Sequence, residues 1–324
     1  MSVTHPVGGE RGGDWTRRPE GGGRFAIWLI QVIARRLGRA PARALLYPIT
    51  LYFLVMRGPE RRASRAYLGR VLGRPAGLLD VARHIHTFAS TILDRVFLLG
   101  GRMDSFDIRT HGLDALHEVL DRGRGVLLFG SHLGSFDGLR ALATQRPNVP
   151  VRVVLDKQHN PAITQLLDAL NPTLARNIID AAQDGPSIVL AIQQAAAEGA
   201  IVAILADRAR PGEPTVSVPF IDAPAPFPTA PWLIAAVLEL PVVLAFGLYR
   251  GGRHYDLVFE AFSEGLSASR RQRAEALPAW IARYAQRLEQ HAREAPYNWF
   301  NFYDFWQADD AKSASNAPPG PPAR

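Results

Sequence analysis

His132 and Asp137 have the types and spacing of a general base and the carboxylate that orients it. A neutral imidazole takes a proton from a hydroxyl and, once charged, returns it to a leaving group. A carboxylate on the other ring nitrogen fixes the tautomer and stabilises the cation. The pair lies in Gly130-Ser131-His132-Leu133-Gly134-Ser135-Phe136-Asp137. A serine nucleophile in a sharp elbow needs Gly-x-Ser-x-Gly, and neither Ser131 nor Ser135 stands in that pattern. The nucleophile is then the substrate's own hydroxyl. The backbone around Gly134 and Ser135 is a candidate to present N–H groups to an oxyanion or a phosphate. The plainer reading is a loop histidine beside a carboxylate in the first turn of a helix.

Other segments could join this chemistry. Asp207 and Arg208 end the apolar run Ile204-Leu205-Ala206. They are candidates to bind substrate phosphate or to steady an oxyanion, or else form a structural ion pair. The proline-rich segment from Phe220 to Thr229 reads as an apolar loop, with Phe220 and Phe227 as walls of an acyl pocket or as packed connectors. Residues 295–306 carry seven aromatic residues in twelve and no basic residue. Stacking on nucleic-acid bases needs basic neighbours, so an aromatic plug or lipid-facing edge fits better. His84 and His86 stand two apart in a helical pattern, where they do not face each other, so no metal pair is expected.

The elements that must hold these residues follow from the hydrophobic pattern. Val126 to Phe129 reads as a buried strand and Gly138 to Thr144 as the helix after it. Strands are expected at Val151–Leu155, Ala200–Ala206, Pro241–Tyr249 and Tyr255–Phe259, the last two paired. Helices are expected at Arg65–Phe97, Pro161–Leu170, Pro186–Ala197, Pro228–Leu238 and Ala274–Glu294. This alternation predicts an α/β fold, a mixed and mainly parallel sheet flanked by helices. His132 and Asp207 then fall at the carboxyl edge, where open α/β sheets carry their ligands.

The 324 residues are 47% hydrophobic, enough for a sizeable core. The absence of cysteine excludes disulfides, thiolate zinc sites and a cysteine nucleophile. The net charge is +7, and Lys157 and Lys312 are the only lysines. An arginine-rich basic surface favours anionic partners without choosing among nucleic acid, lipid and phosphorylated substrates.

Residues 1–24 are polar and glycine-rich, show no signal-peptide pattern, and are expected to be disordered. The proline-rich tail, residues 308–324, is expected to be the same. Residues 25–57 contain two apolar stretches, 25–37 and 44–56. Thirteen helical residues span about 20 Å, short of the roughly 30 Å hydrocarbon core. An interfacial, arginine-flanked membrane-associating segment is therefore expected, against the alternative of ordinary core helices. Residues 58–307 form the main domain.

The motif set resembles a known superfamily. Gly-Ser-His132-Leu-Gly-Ser-Phe-Asp137 is similar to motif I (HX4D) of the lysophospholipid acyltransferases. The Ala-Asp207-Arg208 strand end, the Val-Pro-Phe-Ile-Asp-Ala-Pro-Ala-Pro-Phe-Pro segment and the aromatic ending follow in the order seen in the lipid A late acyltransferases of the lauroyl/myristoyl type. The ending is most similar to predicted acyltransferases associated with aryl-polyene and polyketide-like gene clusters. The chain departs from the lipid A enzymes at Phe220-Ile221-Asp222 and at Thr229-Ala230-Pro231. These changes bear on the acceptor more than on the chemistry.

The resemblance implies transfer of a fatty or polyene-type acyl chain from acyl carrier protein or coenzyme A to a lipid or glycolipid hydroxyl. It implies an N-terminal membrane anchor and work at the cytoplasmic face of the inner membrane. By position His132 is the base and Asp137 its partner. No metal or redox cofactor is required, and nucleic acid is not an expected partner. The rivals are an acyl-thioester hydrolase using water, and a catalytically inactive basic protein that binds membrane or nucleic acid.

Overall fold

The computed structural model describes residues 38–136, 148–158, 161–210, 212–267 and 269–306. Four helices open it: α1 (Arg39–Ala44), α2 (Leu46–Met56), α3 (Gly58–Val71) and α4 (Leu78–Leu99). The expected helix Arg65–Phe97 is therefore two helices. Gly73 takes φ +64° and Pro75 follows, which stops the first helix and turns the chain. The first apolar stretch, residues 25–37, lies outside the described residues, as do residues 1–24 and 307–324.

The α/β portion runs β1 (Asp107–His111), α5 (Leu113–Asp121), β2 (Val126–Gly130), β3 (Val151–Leu155), α6 (Pro161–Leu170), α7 (Pro172–Arg176), β4 (Ile178–Asp180), α8 (Gly185–Ala197) and β5 (Ile201–Leu205). It continues with β6 (Thr215–Phe220), β7 (Ala223–Pro228), α9 (Ala230–Leu238), β8 (Val242–Gly251), β9 (His254–Ser263) and α10 (Arg270–Glu294). The seven-stranded sheet has the order β1-β9-β8-β2-β5-β3-β4. Only β8 and β9 pair antiparallel; the other neighbours are parallel. This is the mixed, mainly parallel sheet that the sequence pattern predicts. The helix expected at Gly138–Thr144 lies outside the described residues.

The central strands are buried on both faces, so each feeds two cores. Leu127, Phe129, Val202, Ile204, Leu244 and Phe246 point into one core with α3, α9 and α10. Val126, Leu128, Ile201, Ala203, Val243 and Ala245 point into the other, with Leu116 and Val119 of α5.

The segment expected as an apolar loop is an antiparallel hairpin of β6 and β7. Ile221 (φ 48°) and Asp222 (φ 61°) form its turn, with the positive φ at both centres that a tight hairpin turn needs. Glu289 Oε2 accepts the Ile221 N–H at 2.6 Å, and Arg293 bonds Asp222 at 3.0 Å, holding a conformation that costs a β-branched residue energy. Pro228 consequently ends β7 opposite Thr215, and Pro231, not Pro228, occupies the first turn of α9.

Arg39 makes a two-pronged ion pair with the buried Asp94 of α4, at 2.7 and 2.8 Å. Tyr255 O–H of β9 donates to the same carboxylate at 2.9 Å. These bonds tie α1 to α4 and the sheet. Among the described residues no helix is long and apolar enough to cross a membrane.

Candidate active site

Adjacent parallel strands bring His132 and Asp207 together. Gly130, the last residue of β2, is in register with Leu205, the last of β5. His132 and Asp207 each lie two residues further on. His132 Nδ1 is 2.8 Å from Asp207 Oδ1, and the His132 backbone N–H donates to Oδ2 at 2.9 Å. Trp299 Nε1–H donates to the same Oδ2 at 3.1 Å. With Nδ1 donating to the carboxylate, Nε2 is the basic nitrogen.

Burial by itself raises a carboxyl pKa. At Asp207 the charge and hydrogen bonds of His132, together with the charge of Arg208, outweigh it and hold the group well below the usual carboxylate range. Asp207 is thus an anion with no exposed surface. At His132 burial is the main cause of a lowered pKa; Arg208 and Arg95 push the same way, and Asp207 opposes them. The imidazole is neutral near pH 7, with 37% of its side-chain surface exposed. It can accept a proton there and is oriented by an ionised carboxylate.

Backbone bonds fix the loop that carries His132. Phe300 N–H donates to His132 O at 2.9 Å, Gly134 N–H to Asn298 O at 2.8 Å, and Ser135 N–H to Gly247 O at 2.7 Å. The oxyanion role expected of the Gly134 and Ser135 amides is therefore corrected: both N–H groups are spent on protein carbonyls. They clamp the loop instead. Gly134 has φ +70°, and a Cβ there would stand 1.8 Å from Gly247 O. Only glycine fits so close an approach.

Asp137 lies outside the described residues. Among those described, the carboxylate on His132 Nδ1 is that of Asp207. Arg208 donates through its terminal nitrogen to Phe300 O and lies over the Tyr303 ring, 5.3 Å from its centroid. Its Nε is 3.9 Å from Asp207 Oδ2, close enough for charge attraction but too far for a hydrogen bond. Phe220 and Phe227 are both fully buried and meet edge to face at 5.3 Å, with Phe220 also against Trp299. They form the aromatic core behind the site. Among the described residues no group of three or more His, Asp or Glu side chains could hold a metal ion.

Trp299 and Asn298 escaped the sequence reading as site residues. The signal was present as the aromatic density of residues 295–306, but nothing local says that this segment returns to lie beside the His132 loop. It does so through an antiparallel bridge between Leu133 and Trp299.

A family profile described as bacterial lipid A biosynthesis acyltransferase matches residues 90–308, more than half of the chain. The chain belongs to the bacterial lipid A biosynthesis acyltransferase family. Acyl transfer to a lipid is the reaction of this family, and the matched region holds both His132 and Asp207. An acyl donor and a lipid acceptor are thus its general requirements. No curated protein sequence matches the chain.

Proposed function

We propose that the protein is a membrane-associated O-acyltransferase whose general base is His132 and whose orienting carboxylate is Asp207. The observation that carries this reading is the 2.8 Å bond between His132 Nδ1 and a buried, ionised Asp207 at the carboxyl edge of the sheet. His132 Nε2 takes the proton of a lipid hydroxyl. The oxygen attacks the thioester carbonyl carbon of acyl carrier protein or acyl-coenzyme A. The tetrahedral intermediate collapses with cleavage of the C–S bond, and the imidazolium protonates the leaving thiolate. Asp137 is kept as a second catalytic carboxylate on its sequence spacing alone. Arg208 acts beside the pair as a fixed positive charge, with oxyanion stabilisation as its candidate role. Phe220 and Phe227 remain candidates to back the acyl pocket.

Membrane association rests on α2. Tyr47, Leu51, Tyr52, Val55 and Met56 form one apolar face, exposed by 70, 60, 55, 60 and 67% respectively. They recur at the three- and four-residue steps of a helix surface. Arg57, paired with Glu60 at 2.6 Å, is followed by Arg61, Arg62 and Arg65, a net positive charge suited to anionic headgroups. The proposed place of work is the cytoplasmic face of the inner membrane, as the family resemblance implies.

The reading is tested with purified protein, acyl-coenzyme A or acyl carrier protein carrying a lauroyl chain, and vesicles of extracted membrane lipid. Ester-linked acyl lipid with equimolar free thiol is expected. Free fatty acid in place of the lipid ester would make the protein a thioester hydrolase.

A further inference from the structure

Behind the His132–Asp207 pair runs a second, fully buried line of hydrogen bonds. Trp299, His84 and Ser64 have no exposed surface. His84 Nε2 lies 3.0 Å from Trp299 O, and His84 Nδ1 lies 2.8 Å from Ser64 Oγ. A backbone carbonyl can only accept, so the bonding pattern assigns the proton to Nε2, and Nδ1 accepts from the serine hydroxyl. His84 is held neutral by burial, its pKa pushed down to about 4. Tyr67 O–H donates to Pro296 O at 2.8 Å, and its ring packs on Trp299 at 5.1 Å. The backbone of Trp299 is thus pinned from the α3–α4 side, and its indole N–H points the other way, to Asp207.

We propose that Trp299 is a positioning residue for acyl transfer, braced by the Ser64–His84 pair so that its indole N–H fixes the Asp207 carboxylate against His132. This rests on the reading of His132 as base. A tryptophan serving only to fill the core has no need of a carboxylate: a backbone carbonyl suffices, and the fully buried Trp232 packs with its indole N–H unpartnered among the described residues. Trp306 shows that case in the same aromatic cluster, donating to Phe220 O at 3.2 Å. Trp299 instead donates to the one buried carboxylate that holds the base. Oδ2 receives two N–H groups and Oδ1 faces the imidazole. Three donors define the plane of the carboxylate, and so the direction in which Nε2 points. Charge-assisted bonds of this kind are the stronger class. The arrangement also gives α3 and α4 a part in the chemistry, since they hold the tryptophan from behind.

The test compares Trp299→Phe with Trp306→Phe, each losing one indole N–H from the same cluster. Thiol release from lauroyl-coenzyme A is measured with lipid vesicles, alongside His132→Ala. Trp299→Phe is expected to lower kcat by about ten- to a hundredfold, the scale for groups that orient a catalytic side chain, with KM within about twofold. Trp306→Phe is expected to hold kcat within about twofold at a comparable loss of melting temperature. His84→Leu should lower kcat, and His84→Gln, which keeps an N–H toward Trp299 O, should recover much of it. Equal kcat for the two tryptophan variants, with His132→Ala inactive, would overturn the positioning role and leave the base in place. An active His132→Ala would overturn the base itself. If Trp299→Phe fails to fold, the indole N–H resonances of the wild type are compared with those of Asp207→Asn. A shift in the Trp299 resonance supports the bond, and no change overturns it.

Discussion

His132 and Asp207 each stand two residues beyond a pair of register partners, Gly130 and Leu205, on adjacent parallel strands. The two strand ends thereby bring the imidazole and the carboxylate to within 2.8 Å, each only two residues past its strand. A short step from a rigid strand end, clamped by backbone bonds, keeps that geometry stiff, as preorganised catalysis requires.

Asp207→Asn should keep the fold and lose most of the rate. An amide has no charge to stabilise the imidazolium and can hold the wrong tautomer. A fall in kcat of about 10²–10⁴-fold is expected, in the range for disabling a general base. Steady-state thiol release checks it, with circular dichroism as the folding control.

The pH dependence of kcat/KM should place the base below its ordinary value. His132 must be neutral to act, and burial, Arg208 and Arg95 lower its pKa against the opposing pull of Asp207. The acid limb should therefore lie below pH 6.5, with activity rising as pH rises through it. Arg208→Ala removes one lowering charge and should move the limb to higher pH. A profile from pH 4.5 to 8 on both proteins decides the matter.

Acid should destabilise the fold in a window set by His84. Its folded pKa is about 4 against an ordinary 6.5. Between these values the unfolded chain binds a proton that the folded protein refuses, so stability falls as pH falls from about 6.5 to about 4. Linkage puts the total at about 3 kcal/mol for His84 alone. Urea unfolding at stepped pH should show the slope, and His84→Gln should flatten it.

Leu51→Glu combined with Val55→Glu should release the protein from anionic vesicles. Both positions are 60% exposed, so the cost to folding is small. Flotation with phosphatidylglycerol vesicles should show binding by the wild type and little by the variant.

Gly134→Ala should damage both rate and stability. A methyl group at φ +70°, against Gly247 O, forces the His132 loop off strand β8. A loss of about 2 kcal/mol or more and a fall in kcat beyond tenfold are expected. Thermal melts and the thiol assay measure the two effects.

The buried strands were legible because both faces are covered, leaving runs such as Val126–Phe129 and Ile201–Leu205 without a polar residue. Those apolar runs by themselves put His132 and Asp207 at one edge of the sheet. Their pairing was not legible, because which strands are neighbours is a long-range fact, and the nearer Asp137 offered a local partner. Strands β1 and β4 gave no signal: four of the five residues of one are polar, and the other has three residues. The β6–β7 hairpin was hidden by its prolines and by a turn built on Ile221 and Asp222 in place of glycine. Trp299 was visible only as one aromatic among seven, since its partner lies 92 residues away in sequence.

Everything proposed for the site depends on His132 being the base for acyl transfer to a lipid hydroxyl. Lipid mass spectrometry of cells lacking the gene, complemented with wild type or with His132→Ala at equal protein levels, tests it most directly. The wild type is expected to restore a lipid heavier by one ester-linked acyl group, and His132→Ala is not. Restoration of that same lipid by His132→Ala would contradict it.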